Sequence, residues 1–346
     1  MDCDYALLRQ LVETPGVSGR EEQVRDLVTA RLAAFASNIS TDAMGSLIAH
    51  IPGSGPRVAL IAHMDEIGFL VSKIEPEGFV RVMPVGGIDP RVFGAQKVTV
   101  HGRQDLLGIV GSIPPHLQKK ASAPDIKNAL PIEESFIDLG LPAEQVHKKV
   151  RVGDPVTFAA AGWENEHAFF AKALDDRVGL FIMLSAVQQV KKPDCDLFLI
   201  ASTQEEYGLR GAGPAVFSTQ AQVVIALEGT VASDTPGLKL PPNTQPTVQG
   251  KGPEIRISDG RMIADRRLVD FLVETAENAK ISHQVIVKNT GATDAAVSQT
   301  TGLGVKTTAL SVPTRYIHSP MSSVLKADVE SSVGLVAAAL GRFSRL

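Results

Sequence analysis

The sequence predicts an α/β fold in which a mixed, mainly parallel sheet is covered by helices and carries an inserted small β-barrel or β-sandwich domain. Helical patterns alternate with apolar, strand-like runs near the N-terminus and again after about residue 172, as in a covered parallel sheet. Between these regions the chain is rich in Val, Gly and Pro, and its strands are short. A chain of 346 residues is long enough for both units.

The first α/β region opens with helical patterns at residues 4–13 and 20–36. Ser18 precedes the second pattern and is a candidate N-cap, because its hydroxyl can accept a backbone N–H of the first turn. Strands are predicted at 46–50 and 57–62, on either side of a turn that contains Pro and Gly. The sheet is therefore expected to start close to the N-terminus.

The β-rich region contains short strands such as 79–82 and 97–100. Residues 117–133 are polar and weakly periodic, which predicts a mobile loop. The expected domains are an inserted β-rich domain at 67–163 and an α/β domain at 1–66 plus 164–346.

Helices and strands alternate again in the second α/β region, which indicates further units of a parallel sheet. The predicted helices are 176–190, 265–280 and 324–343. The predicted strands are 196–203, 223–227 and 305–310, with an extended segment at 283–288.

Composition and charge argue against several functional classes. The formal net charge is −4 and no cluster of Lys and Arg stands out, so nucleic-acid binding is not expected. No apolar run approaches the length of a membrane span, and the N-terminal residues lack a signal-peptide core. Cys3 and Cys195 form no metal or redox motif, so reduced thiols and a cytoplasmic location are expected.

Side chains that commonly bind metal ions lie at or near the ends of predicted elements. His63 and Asp65 follow strand 57–62, and a carboxylate at this spacing can orient a ligand imidazole. Asp175 and Asp176 precede an apolar helix, a position where acids also serve as N-caps. Each of these patterns alone has an ordinary interpretation as a surface histidine or a helix cap.

Three further positions follow the same rule. The adjacent acids Glu205 and Glu206 come after a strand, and Gly208 permits a turn behind them. Glu228 ends an apolar strand, where an acid without a partner is uncommon. His318 lies in a loop shortly after the last strand. Solvated loop residues remain the ordinary interpretation of each position taken singly.

Taken together, these positions are stronger evidence for one functional site, because the functional sites of open α/β sheets form at the carboxyl ends of the strands. Two imidazoles and three carboxylates suffice for two divalent ions if one carboxylate bridges them. Such a mixed N/O ligand set suits Zn²⁺, Co²⁺ or Mn²⁺. An acid that binds no metal is then available as a general base.

The order and wording of these motifs resemble the co-catalytic, di-metal glutamyl/deblocking aminopeptidases, many of which assemble as tetrahedral (TET) particles. The resemblance covers essentially the whole chain and implies a phosphorylase/hydrolase-like catalytic domain with an inserted dimerisation domain. The matching segments are AHMDEIGFLV (62–71), KALDDRVG (172–179), QEEYGLRGA (204–212), GATDAAV (291–297) and PTRYIHSP (313–320).

The resemblance also implies the ligands of two metal ions. One ion would be bound by His63 and Glu228, the other by Glu206 and His318, and Asp175 would bridge them. Zinc or cobalt are the expected ions, with manganese as a further option. The implied activity is hydrolysis of N-terminal residues from peptides by a metallopeptidase.

The same resemblance implies the roles of the remaining residues. Glu205 would be the general base and Asp65 would orient His63. Asp294 and Arg315 lie in matching motifs and would support the site or contact substrate, although a structural Asp–Arg pair explains them equally well. Glu228 stands where the family commonly has Asp, so its longer side chain must withdraw the backbone or change denticity.

Two other functional classes stay open at this point. A carboxylate-pair glycoside hydrolase of the endoglucanase type fits two adjacent Glu residues, but the chain has 1 Trp and 3 Tyr for sugar stacking, and the histidines would have no role. A catalytically inactive assembly protein is the other alternative. The expected partners are peptide substrates and further copies of the chain, as dimers and as a tetrahedral dodecamer, with no nucleic acid and no membrane.

Overall fold

The computed structural model describes residues 3–112 and 130–346. It contains an 11-stranded sheet with helices packed on it and a separate closed barrel of six strands. The predicted fold class is confirmed. The predicted loop at 117–133 lies mostly outside the described residues, and its last residues enter a short 3-10 helix at Ile132–Glu134.

The helices and strands are numbered in chain order. The described helices are α1 (Tyr5–Glu13), α2 (Glu22–Leu32), α3 (Ala143–Lys149), α4 (Leu174–Gln189), α5 (Ala212–Thr219), α6 (Arg266–Ala279), α7 (Asp294–Gln299) and α8 (Lys326–Leu340). The strands of the large sheet are β1 (Asn38–Thr41), β2 (Leu47–Ile51), β3 (Arg57–His63), β10 (Trp163–Glu164), β11 (Ala168–Ala171), β12 (Asp196–Ser202), β13 (Val223–Val231), β14 (Glu254–Ser258), β15 (Gln284–Val287), β16 (Lys306–Arg315) and β17 (Ser322–Leu325). The strands of the barrel are β4 (Gly68–Ile74), β5 (Val80–Val85), β6 (Lys97–His101), β7 (Asp105–Gly111), β8 (Phe136–Asp138) and β9 (Pro155–Phe158).

The large sheet is parallel at its centre and mostly antiparallel at its edges. Its strand order is β1-β2-β12-β3-β13-β16-β17-β11-β10, with β14 paired to β16 and β15 to β14. Neighbours among β12, β3, β13 and β16 run parallel. These central strands are buried along most of their length, which explains why the sequence shows them as nearly continuous apolar runs.

Helices cover both faces of the sheet, as the alternation of side chains along β3 shows. Val58, Leu60 and Ala62 belong to a core shared with α1, α2, α4, α6 and α8. Ala59 and Ile61 point to the opposite face and belong to a second core with α5 and α7. Both faces of the strand are therefore dry, and its carboxyl end opens at the edge of the sheet.

The barrel has a hydrophobic core of its own, separate from the two cores of the sheet. Phe69 lies at its centre, with ring centroids 4.5 Å from Phe93 and 5.5 Å from Phe158. The chain enters the barrel soon after β3 and returns to the large sheet at β10. The barrel is inserted after the carboxyl end of β3. It therefore lies beside the edge of the sheet that carries the candidate ligands.

The structure corrects two details of the sequence interpretation. Ser18 is not the N-cap of the second helix, since α2 begins at Glu22 and the Ser18 hydroxyl donates to Asp65 Oδ2 at 2.6 Å. Glu21 occupies the N-cap position instead, and the charged carboxylate of Asp65 is a strong acceptor for the Ser18 hydroxyl. Glu228 lies inside β13 rather than beyond its end, and pairs in register with Ser311 of β16.

Among the helices of residues 3–112 and 130–346, we find none with the length and apolar character needed to cross a membrane.

Candidate metal centre

The predicted ligands converge at the carboxyl ends of the central parallel strands. His63 ends β3, Glu205 and Glu206 follow β12, Glu228 lies in β13, and His318 follows β16. Neighbouring parallel strands bring their ends to one edge, so residues far apart in sequence meet there. Asp175 joins them from a kinked, non-helical stretch at the start of α4, a helix that packs against β3 and β13.

A first group of candidate ligands comprises His63, Asp175 and Glu228. The His63 Nε2 atom lies 3.3 Å from Asp175 Oδ1 and 3.8 Å from Glu228 Oε2. One ligand atom from each residue lies within 4.8 Å of the other two. His63 and Glu228 are buried, with exposures of 1% and 2%, so this group is shielded from bulk water.

A second group comprises Asp175, Glu206 and His318. The His318 Nε2 atom lies 3.3 Å from Asp175 Oδ2 and 3.3 Å from Glu206 Oε1. Asp175 thus turns one carboxylate oxygen to each histidine, which is the orientation of a bridging ligand. His318 Nδ1 lies 3.0 Å from the Gly87 carbonyl of the barrel segment, a contact that orients the ring.

Glu205 belongs to neither group, although it lies in the same cluster. Its Oε2 atom is 3.9 Å from His63 Nε2, and its side chain is largely buried. Its backbone N–H donates to Asp65 Oδ1 at 3.0 Å, and the N–H of Glu206 donates to Asp65 Oδ2 at 3.0 Å. Asp65 therefore fixes the turn that separates the directions of the two Glu side chains.

Asp65 also lies against the imidazole of His63. The His63 Nδ1 atom is 3.1 Å from the Asp65 carbonyl oxygen and 3.3 Å from Asp65 Oδ1. Burial raises the pKa of Asp65, but the hydrogen bonds and charge of His63 outweigh burial and lower this pKa below its usual value. With Nδ1 held in this way, His63 turns Nε2 toward Asp175 and Glu228.

The cluster carries an excess of acidic groups. Burial raises the pKa of Glu205 and of Glu228 well above the usual carboxyl range, despite the opposing charge of His63. Burial also raises the pKa of Glu206 to about 7. Burial lowers the pKa of His318, but its hydrogen bond to Asp175 and the charge of Glu206 outweigh burial and raise the pKa to about 9.

The donor set fits divalent cations. Glu228 Oε1 is buried and has no hydrogen-bond partner among the residues that the structure describes. Such an oxygen is costly in a protein interior but is suited to a cation. The cluster offers imidazole nitrogens and carboxylate oxygens without thiolates, which favours zinc, cobalt or manganese over thiolate-selective metals.

Asp294 and Arg315 do not form a pair with each other. Asp294 is fully buried beside the cluster, where its Oδ2 accepts a short hydrogen bond from the Ser202 hydroxyl. Arg315 makes a bidentate contact to Asp234, with both N···O distances at 2.8 Å. Asp294 is thus bonded to the last residue of β12, whereas Arg315 holds the segment that follows β13.

Sequence reasoning missed a buried ion pair beneath the cluster. Lys172 Nζ lies 2.8 and 2.6 Å from the two carboxylate oxygens of Glu66. The Arg177 Nη2 atom also lies near this pair, 3.7 Å from Glu66 Oε1. Glu66 directly follows Asp65, and Lys172 precedes α4, so the pair links the two segments. Neither a Lys nor a Glu in a sequence indicates that its partner lies more than a hundred residues away.

A cavity of about 460 Å³ opens beside the cluster. Its lining includes Glu205, Glu206 and Glu228 of the cluster. The lining also includes other polar side chains, among them Thr230 and Lys288, together with apolar ones. A pocket of this size next to the candidate metal ligands can accommodate one amino-acid side chain with its flanking peptide groups.

The chain was then compared with known proteins. Residues 45–335 match the M42 glutamyl aminopeptidase family. A lysyl aminopeptidase of Pyrococcus furiosus is 35% identical over 97% of this chain and 96% of its own length.

Solved structures agree with this result. A TET aminopeptidase from the marine sediment archaeon Thaumarchaeota archaeon SCGC AB-539-E09 superposes with a TM-score of 0.92 at 30% identity, over 98% of this chain and 96% of that chain. The TET1 peptidase of Pyrococcus horikoshii, which can assemble into a tetrahedron or a large octahedral shell, has a TM-score of 0.87 at 31% identity, over 97% and 98% of the two chains. The resemblance that the motifs indicated is confirmed, and the chain belongs to the M42 glutamyl aminopeptidase family.

Proposed function

We propose that the chain is a metal-dependent aminopeptidase that removes N-terminal residues from peptides at a two-metal centre. The aminopeptidase class rests on membership of the M42 family. The observation that carries the two-metal form is the position of Asp175, whose two carboxylate oxygens each lie 3.3 Å from a different histidine. A carboxylate-pair glycosidase is disfavoured, because it leaves both histidines and Asp175 without a role.

The proposed ligands are the two groups that share Asp175. His63 and Glu228 would hold one ion, Glu206 and His318 the other, and Asp175 would contact both. Zinc and cobalt are the expected ions, and manganese is compatible with the same ligands. Bound ions would lower the pKa of a water molecule and polarise the carbonyl group of the scissile peptide bond.

The residues of the chain would handle the proton. Glu205 would accept a proton from the attacking water and later donate it to the leaving amine. Its position supports this role, because Glu205 lies in the cluster, with Oε2 3.9 Å from His63 Nε2, yet belongs to neither ligand group. Asp65 would keep Glu205 in place through the backbone N–H, while holding the His63 ring.

The cavity beside the cluster would receive the N-terminal side chain of the substrate. Thr230 Oγ1 accepts from Arg256 at 2.8 Å and from Lys288 at 2.8 Å, so its own proton remains to be donated. Lys288 also contacts Glu254 at 2.6 Å and has a third N–H. These donors line the cavity, whereas Glu254 lies behind them, which favours substrate side chains with an acceptor over Lys or Arg.

A rate panel tests the proposal. We expect aminoacyl-4-nitroanilides to be hydrolysed, the activity to disappear with a chelator, and Zn²⁺ or Co²⁺ to restore it. The panel compares Glu, Gln, Leu, Ala and Lys substrates, with carboxymethyl cellulose as the glycosidase control. Chelator-sensitive release of sugar without release of 4-nitroaniline would contradict the proposal.

We also propose that the β-rich region at 67–163 mediates self-association as dimers, and that these dimers form a tetrahedral dodecamer. Support comes from TET1 of Pyrococcus horikoshii, which assembles into a tetrahedron or an octahedral shell. On the barrel, the apolar side chains of Leu107 and Ile109 are more than half exposed. The cytoplasmic location stays a prediction from the cysteine content.

A further inference from the structure

The structure assigns a positioning role to Asp176, and we propose that its carboxylate fixes the geometry of the His63–Asp175–Glu228 group through three backbone hydrogen bonds. The inference rests on the proposed two-metal centre, since it concerns one of its two ligand groups. Asp176 matched the same motif as Asp175, but the resemblance gave it no role.

Asp176 accepts hydrogen bonds from three different segments. Its Oδ2 atom accepts from the backbone N–H of His63 at 3.1 Å. Its Oδ1 atom accepts from the N–H of Gly179 at 3.0 Å and from the N–H of Gly229 at 3.1 Å. The side chain thus ties the end of β3 and the C-terminal part of β13 to the start of α4.

These bonds coincide with the first ligand group. His63 is itself bonded, Gly229 directly follows Glu228, and Asp176 directly follows Asp175. The two ligands particular to this group, His63 and Glu228, are therefore held by Asp176 directly or through the adjoining residue, whereas Asp175 is shared with the second group. In the second group Glu206 is held instead through its N–H by Asp65 Oδ2, at 3.0 Å. Asp176 should accordingly act on one group far more than on the other.

The carboxylate of Asp176 lies in closely packed surroundings. Asp176 is fully buried. A side chain at Gly179 would place its Cβ 2.4 Å from Asp176 Oδ1, and one at Gly229 would come within 3.4 Å of Asp175 Cα. The two glycines allow the three segments to approach this closely. A shorter side chain would remove the carboxylate oxygens from which the backbone N–H groups of the two strands obtain their acceptors.

One of the three bonds has an ordinary explanation. The bond to the Gly179 N–H is the capping contact that an Asp makes at the start of a helix. This confirms a capping interpretation for Asp176 but does not explain the bonds to the two strands. A positioning role and a capping role can therefore be separated by substitution.

Two variants separate them. Asp176→Ser keeps a hydroxyl that can cap α4 but is too short to serve both strands. Asp176→Asn keeps one acceptor oxygen and turns an NH₂ group toward backbone N–H donors. A matched control is Asp328→Asn, because Asp328 is also buried and accepts from the N–H groups of Gly250 at 2.7 Å and Gly252 at 2.8 Å, outside both ligand groups.

The experiment measures Co²⁺ binding to the full chain by equilibrium dialysis after chelator treatment. His318→Ala leaves only the first ligand group intact, and His63→Ala leaves only the second. In the His318→Ala background, we expect both Asp176 variants to raise the Kd for Co²⁺ by about 10- to 100-fold, the usual effect of removing a residue that orients a metal ligand. In the His63→Ala background, and for Asp328→Asn in either background, the change should stay within about threefold.

Each outcome decides the question. Equal weakening in both backgrounds, or none in the His318→Ala background, would overturn the positioning role. Far-UV circular dichroism of the metal-free proteins checks folding. Loss of the fold in both Asp176 variants but not in Asp328→Asn would also count against the positioning role, because Asp176 would then stabilise the whole domain. If the single histidine variants still bind two ions as tightly as the unmodified chain, the assignment of His63 and His318 as ligands itself fails.

Discussion

Replacing Glu205 by Gln is the substitution that separates proton transfer from metal binding most cleanly. Gln has the same size as Glu, so the packing of the cluster should not change. Glu205 belongs to neither ligand group, and its Oε2 atom is 3.9 Å from the nearest imidazole nitrogen, that of His63. The variant should therefore keep its ions and lose the base.

The size of the effect follows from the role. A positioned general base contributes about 10²- to 10⁴-fold to a rate, which is roughly 3 to 5 kcal/mol of activation free energy. We expect kcat of Glu205→Gln to fall by this factor. The KM should change little, because the substituted carboxylate is not proposed to bind the substrate amine.

Glu206→Gln is the matched control, since it makes the same chemical change at the adjacent residue. Glu206 Oε1 lies 3.3 Å from His318 Nε2 within the second ligand group. This variant should lose metal affinity, whereas Glu205→Gln should retain two ions per chain. The assay pairs the release of 4-nitroaniline with metal analysis of the dialysed proteins. Near-wild-type turnover of Glu205→Gln, or loss of its ions, would refute the assignment.

Three further predictions concern stability, specificity and assembly. The pKa of Glu206 is raised to about 7 and that of His318 to about 9, so in each case protonation stabilises the folded, metal-free chain. Its stability should therefore fall as pH rises from about 4.5 to 9, by about 3 kcal/mol for the Glu206 contribution alone, and bound ions should abolish the loss. Thermal unfolding of the chain with chelator and with bound ions, across this pH range, measures this change in stability. Lys288→Met should lower kcat/KM for a glutamyl substrate by roughly 10- to 100-fold and for a leucyl substrate by less than about threefold; equal losses would exclude a role in specificity. Replacing Leu107 and Ile109 by Lys should reduce the particle size seen by light scattering, and an unchanged size would remove the barrel face from the interface.

The positions of the ligands could be predicted because central parallel strands leave a strong apolar signal. The runs that end at His63 and near Glu228 mark buried strands, and parallel strands must deliver their ends to one edge. The assignment of individual acids within Asp175-Asp176 and Glu205-Glu206 came from the family resemblance. Sequence alone does not give side-chain direction at a kink or a turn.

Other features depend on contacts between distant segments and left no local signal. Ser18 has the residue type of an N-cap, yet its hydroxyl donates a hydrogen bond to the carboxylate of Asp65. Asp176 looks like a helix cap in sequence, but its bonds to two strands arise only when the sheet is assembled. The Lys172–Glu66 pair is of the same kind, because buried charges must find partners wherever the fold brings them.

We infer that two ions, shared through Asp175, are required for aminopeptidase activity. A titration of the chelator-treated chain with Zn²⁺ or Co²⁺ tests this most directly, when bound metal and the hydrolysis of an aminoacyl-4-nitroanilide are followed in the same samples. We expect no activity without metal and saturation at two ions per chain, with Asp175→Asn weakening both binding steps. Full activity in the metal-free chain, or saturation at one ion, would contradict it.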